Sequence, residues 1–162
     1  MFVGGCADTH NIIQSAPEMQ KKLPKDVSFY IALPEDGVYG ETTYYNSGVM
    51  TAQTILASVS HHVSTAGMAD QTMSIEDCIA VASEKNFDYL INTTIMHWED
   101  RSTEWSGKPD RIKVKIEIIA ISDGSSFDSV TIEGKSKWVT FGGDHPQDLL
   151  PKPIGDYFDQ LF

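Results

Sequence analysis

RIKVKIEIIAIS, residues 111–122, alternates strictly: Ile112, Val114, Ile116 and Ile118 fall on one face, Lys113, Lys115 and Glu117 on the other. Successive side chains of a strand point to opposite faces, so this stretch predicts a strand with one side buried and one side in water. Downstream, SDGSSFDS (122–129) supplies turn residues. VTIEGKSKWVTF (130–141) then returns as an antiparallel partner with Glu133, Lys135 and Lys137 on its solvated side.

Upstream, FDYLINTTIMHW (87–98) is a nearly continuous run of apolar residues and Thr, the pattern of a central strand covered by helices. DVSFYIALP (26–34) predicts an earlier strand, stopped by Pro34 and Gly37. Asn46 or Ser47 then caps a helix to about His62, with Val49, Ala52, Leu56, Val59 and Val63 at three- and four-residue spacing. After Gly67, MADQTM (68–73) holds a short strand, and SIED (74–77) opens a second helix through a capping-box pattern, ending near Asn86. The last stretch, HPQDLLPKPIGDYFDQLF (145–162), predicts one or two short helices broken by Pro151 and Pro153.

The expected fold is therefore α+β. A β-α-β-α-β start leads into an antiparallel meander, with the helices packed on one face of a mixed sheet. Residues 26–162 form a single domain, and 162 residues suffice to bury a continuous core without disulfides. No apolar run approaches the roughly 20 residues of a membrane-spanning helix. The formal charge of -11, from 12 Lys+Arg against 23 Asp+Glu, comes with no basic run, which argues against nucleic acid and against a polybasic membrane patch.

Two cysteines are present, Cys6 and Cys78. In SIEDCIAVA (74–82), Ile75, Cys78, Ile79 and Ala82 share a helical face, so Cys78 reads as a buried, inert thiol. Cys6 is different. Val3-Gly4-Gly5-Cys6 resembles the lipobox of bacterial lipoproteins, in which small residues precede the cysteine whose thiol takes up the lipid. The polar, proline-bearing stretch from Ala7 to about Asp26 fits a tether, so residues 1–25 read as a lipobox remnant and tether. Ala7 after the cysteine implies, by the sorting rule of such lipoproteins, the outer membrane facing the periplasm.

Two further resemblances follow from the elements and runs above. The element order resembles the TolB amino-terminal domain and CsgG-like lipoproteins, which implies a periplasmic fold and an oligomer. FDYLINTTIMHWEDRSTEWSGKPDRIKVKIEI (87–118) with GKSKWVTFGGDHPQDLL (134–150) resembles a family of functionally uncharacterised bacterial lipoproteins. That resemblance supports acylation of Cys6 and implies no catalytic residues.

Chemistry concentrates in HWEDRSTEWSGKPDR (97–111). Trp98, Glu99, Arg101, Glu104, Trp105 and Asp110 make up the inventory of a sugar- or protein-binding patch, with flat aromatic faces and carboxylates. Read as structure, the same residues pin a long hairpin loop by Trp packing and Arg–carboxylate pairs. Glu99, Asp100 and Glu104 also supply acids for glycoside or peptide hydrolysis, which requires two carboxyl groups held across a cleft. His97 with Glu99, His61 with His62, and Asp144 with His145 are metal-type pairs, none with the spacing of a zinc motif. His61 and His62 read as surface residues at a helix end and His145 as a turn residue. IEGKSKW (132–138) lacks the first glycine of a phosphate loop, and GVYGETTYYNSG (37–48) places Tyr39, Tyr44 and Tyr45 ahead of a helix.

No motif points to a cofactor or metal. The residues favour a non-enzymatic envelope lipoprotein presenting its domain to an envelope protein or peptidoglycan, attached to the membrane through Cys6 and open to homo-oligomerisation. A small hydrolase acting on cell-wall glycan or peptide and a soluble ligand-binding module are the alternatives.

Overall fold

The computed structural model describes residues 9–14, 22–100, 109–136 and 145–162. Its strands are β1 (Thr9–Gln14), β2 (Ser28–Ile31), β3 (Gly37–Tyr39), β4 (Thr42–Tyr44), β5 (Thr65–Met68), β6 (Tyr89–Glu99), β7 (Arg111–Ala120) and β8 (Ser126–Lys135). The helices are α1 (Ser47–Val59), α2 (Ile75–Glu84) and α3 (Pro151–Leu161), the last preceded by a 3-10 turn at Pro146–Leu149. Six strands form one sheet in the order β1-β8-β7-β6-β2-β5, and β3 and β4 form a separate hairpin.

The mixed sheet has the expected plan. β2 lies parallel to both β5 and β6, while β6, β7, β8 and β1 are successively antiparallel. Ile112, Val114, Ile116 and Ile118 of β7 are at most 2% exposed and face the main core, together with Phe29, Ile31, Val130 and Ile132. α1 contributes Ala52, Ile55 and Val59, and α3 contributes Ile154, Tyr157, Phe158 and Leu161. Tyr157 donates a 2.7 Å hydrogen bond to Asp128 on β8, which ties α3 to the meander. Burial and that carboxylate together push the Tyr157 phenol far above its ordinary range.

Three expectations are corrected. The helices divide between the faces: α1 and α3 cover one, whereas α2 lies on the other, where Cys78 and Ala82 meet Tyr30, Ala32, Leu90 and Ile119. Alternation along β2 produces this, because Phe29 and Ile31 point one way and Tyr30 and Ala32 the other. Secondly, the stretch read as a tether contains β1, paired along its whole length with β8, and Leu23, which is buried and donates its N–H to the Leu161 carbonyl. The folded region thus begins before residue 26. Thirdly, Pro151 and Pro153 do not break the last helix. They occupy its first turn, where a backbone N–H has no helical partner to lose.

The cap of α1 also departs from expectation. Asn46 stands at the N-cap with φ of 70° and makes no side-chain cap bond. Asp36, ten residues earlier, accepts the N–H groups of Gly48 at 2.8 Å and Asn46 at 3.1 Å. Ser47 accepts the Gly37 N–H at 2.7 Å, which locks the hairpin start onto the helix. Asp36→Ala is expected to lower unfolding free energy by about 1–2 kcal/mol, since it removes the acceptor of two N–H groups at the helix start, one part-buried and one exposed, and Asp36→Asn by less. Urea titration of the two variants checks the order.

α2 follows its sequence signals closely. Ser74 accepts the Asp77 N–H at 3.1 Å, and left-handed Asn86 (φ 59°) ends the helix, with Phe87 N–H on the Ala82 carbonyl and Asn86 N–H on that of Ser83. Cys78 is free and 1% exposed, and burial pushes its thiol up from the ordinary value. A raised value keeps the thiol neutral to higher pH. In a Cys6→Ser protein Cys78 should therefore resist a thiol-specific reagent at pH 8 and react fully in denaturant, as followed by the absorbance of the released chromophore.

Candidate functional site

Half of the sheet surface opposite α1 and α3 is left uncovered by α2. Its rows follow from the register. Thr9, Lys135, Arg111 and Glu99 are cross-strand neighbours at one end, followed by Asn11, Glu133, Lys113 and His97, and then by Ile13, Thr131, Lys115 and Thr94. Strict alternation on β7 places Lys113 and Lys115 here, opposite its buried isoleucines. On β6 a bulge is decisive. The register shifts between Ile95 and His97, which turns His97 onto the open face beside Lys113 and Trp98 into the core beside Ile112.

A groove of about 570 Å³ crosses this face, lined by Asn11, Met96, His97, Arg111, Lys113 and Glu133 among others. Lys113 and Glu133 form a 2.8 Å ion pair, and Lys115 sits 3.7 Å from Glu117. Both members of the first pair are 38% exposed, so the pair adds little stability, yet its donors and acceptors stay available. His97 Nε2 lies 3.3 Å from Glu99 Oε2, and the Tyr39 ring packs edge-on against His97 at 4.9 Å. The face thus presents alternating charge with one imidazole and a tyrosine at its rim. That pattern suits a partner with both hydroxyl or amide groups and charges of either sign, and offers no single-sign field.

The hairpin of β3 and β4 covers the edge of β6 beyond the point where β2 ends. It leaves Val38, Tyr39 and Tyr45 54%, 46% and 79% exposed; Met96, next in sequence to the His97 on which Tyr39 packs, is 54% exposed. Tyr44 turns inward and donates to the Asp100 carbonyl at 3.5 Å.

The patch read from residues 97–111 is only partly a surface. Trp98 is 2% exposed and belongs to the main core, so it is no stacking platform. Glu99 is 5% exposed. Asp110 is half-buried and clasps the ends of β7 and β8, its N–H on Ser136 Oγ at 2.9 Å and its carbonyl on the Ser136 N–H at 3.1 Å. Arg101, Glu104 and Trp105 lie outside the described residues, as do Cys6 and Asp144. Asp100 is 3.6 Å from His145 Nδ1, and Glu99 Oε2 is 3.3 Å from His97 Nε2. His62, expected at the surface, instead joins α1 to α3: it is 3.1 Å from Asp159 and stacks on Phe162. Among the described residues no group of three or more His, Cys, Asp or Glu side chains is placed to hold a metal, and no helix is long and apolar enough to cross a membrane.

Asn11 lies in a polar stretch that carries no strand signal of its own. Lys113 and Glu133 are visible in the sequence as a solvated strand face, but alternation cannot tell that no helix among the described residues lies over them.

Solved structures share the architecture. The PelC dodecamer from Paraburkholderia phytofirmans superposes with a TM-score of 0.72 at 13% identity, over 94% of this chain and 97% of that one. A variant of that dodecamer in another crystal form gives the same TM-score, 0.72. Lipoprotein GNA1162 from Neisseria meningitidis gives 0.50 at 12% identity, over 84% of this chain and 98% of that one. At such identity the likeness is one of fold. No curated protein matches the chain significantly. Residues 21–161 match the family described as Domain of unknown function (DUF4823), and the chain belongs to that family.

Proposed function

We propose that this protein is a non-enzymatic lipoprotein of the bacterial cell envelope, acylated at Cys6, held at the outer membrane facing the periplasm. Its uncovered sheet face serves a partner in the envelope, either another protein or peptidoglycan. The observation that carries the reading is that face: four strands of mostly solvated, alternating side chains around a groove, with no helix over it among the described residues. A lipid anchor would raise the local concentration of such a face, turning a modest affinity into an effectively intramolecular contact. Oligomerisation would multiply the effect; the fold is one that assembles as a dodecamer in PelC.

The face is tested by replacing Lys113 with Glu, which sets two like charges against each other beside His97. Wild-type protein is expected to co-sediment with purified peptidoglycan, and Lys113→Glu to bind about tenfold less tightly with an unchanged fold. Equal retention of both proteins would count against the face, and retention of neither would remove the wall as partner. Light scattering in detergent over a range of concentrations tests the oligomer.

Hydrolysis of wall glycan or peptide, the alternative, asks for two carboxyl groups turned towards one cleft. Glu99 is 5% exposed and paired with His97, which gives that reading no support. Turnover of wall fragments that disappears in Glu104→Gln at unchanged stability would restore it.

A further inference from the structure

We propose that the domain docks directly on the bilayer, with the β3–β4 hairpin, through Val38, Tyr39 and Tyr45, and the neighbouring Met96 seated in the lipid headgroup region. The inference rests on acylation of Cys6. Cys6 precedes Thr9, the first residue of β1, by three residues, and three extended residues reach at most about 10 Å. β1 is paired with β8 from Thr9 onward, so the anchor has no long tether. The end of the sheet where β1 starts must then lie within that distance of the membrane.

That same end carries the exposed apolar groups. Thr9 shares its row with Lys135, Arg111 and Glu99, a span of about 14 Å across four strands. Tyr39 packs on His97, one row in, and Tyr44 reaches the Asp100 carbonyl, one residue beyond the row. Val38, Tyr39, Tyr45 and Met96 account for four of the six exposed large hydrophobic residues among those described. Tyrosine, with an apolar ring and a polar tip, favours the boundary between headgroups and acyl chains. The short leash, given an acylated Cys6, and the exposed side chains at this end are independent of one another, and both point to the lipid surface. With this end down, the open face stands upright from the membrane, reachable from the periplasm.

The test uses the full chain expressed with its native upstream DNA, purified from membranes and placed in vesicles of phosphatidylethanolamine with a minority of phosphatidylglycerol. An environment-sensitive fluorophore is attached at Tyr45→Cys, at Val38→Cys or at Ser125→Cys, each in a Cys78→Ala background. Ser125 lies in the turn joining β7 to β8, at the opposite end of the sheet. Quenching by spin-labelled lipid is expected to be at least about threefold stronger at positions 38 and 45 than at 125. Equal quenching at all three positions, in protein whose mass shows an acylated Cys6, would overturn the docked orientation alone. An unacylated Cys6 in the same sample would overturn both the docking and the anchor.

Discussion

Trp98→Ala is expected to lower the unfolding free energy by about 3–5 kcal/mol, shifting the thermal midpoint down by roughly 10 °C. Trp98 is among the largest side chains in the core at 2% exposure and packs beside Ile112 in the main cluster. Its fit is set from the other side by Gly37. A Cβ there would stand 2.5 Å from Trp98 Cβ and 2.9 Å from Ile95 Cγ2, so the hairpin approaches β6 only because that residue has no side chain. Removing the indole leaves a cavity below the hairpin that the paired strands cannot close. Trp98→Phe should recover more than half of the loss. Calorimetry of the three proteins checks this, and a stable Trp98→Ala protein with impaired binding would return Trp98 to the role of a ligand platform.

Deleting residues 1–14 is expected to cost about 2–3 kcal/mol and to make the protein associate with increasing concentration, whereas deleting only residues 1–8 should do neither. The longer deletion removes six residues of pairing with β8 and the half-buried Ile12, which packs on the core. It also bares the edge of β8, a row of unpaired backbone groups ready to pair with another copy. Both deletions remove Cys6, so the comparison isolates the strand from the anchor. Thermal unfolding and analytical ultracentrifugation give the answer, and identical behaviour of the two proteins would reinstate a free tether.

The alternation of residues 112–118 was enough to read β7, its buried face and the meander with β8, because a period of two survives in any half-buried strand. Most of the parallel start was legible for a related reason, since β2, α1, α2 and β6 each carry their own local signal, down to the Ser74 cap and the Asn86 stop; β5 was not, since it spans Thr65–Met68, ahead of the stretch 68–73 expected to hold it. What escaped depends on contacts distant in sequence. Asp36 caps α1 from ten residues away, and no local pattern announces it. The bulge between Ile95 and His97 reverses which of His97 and Trp98 is buried, so a tryptophan read as surface lies in the core. β1 lies in a largely polar, proline-bearing stretch, and its pairing with the open edge of β8, distant in sequence, makes it a strand. The open sheet face could be recognised only as solvated residues, since what sets it apart is that no helix among the described residues lies above it.

The lipid anchor is tested most directly by the mass of the peptide containing Cys6. The gene is expressed with its native upstream DNA in a bacterial host, and the amino-terminal peptide is recovered from the membrane fraction. A diacylglyceryl or triacyl adduct on Cys6 is the predicted result. A free Cys6 thiol in a peptide continuing upstream of that residue would contradict it.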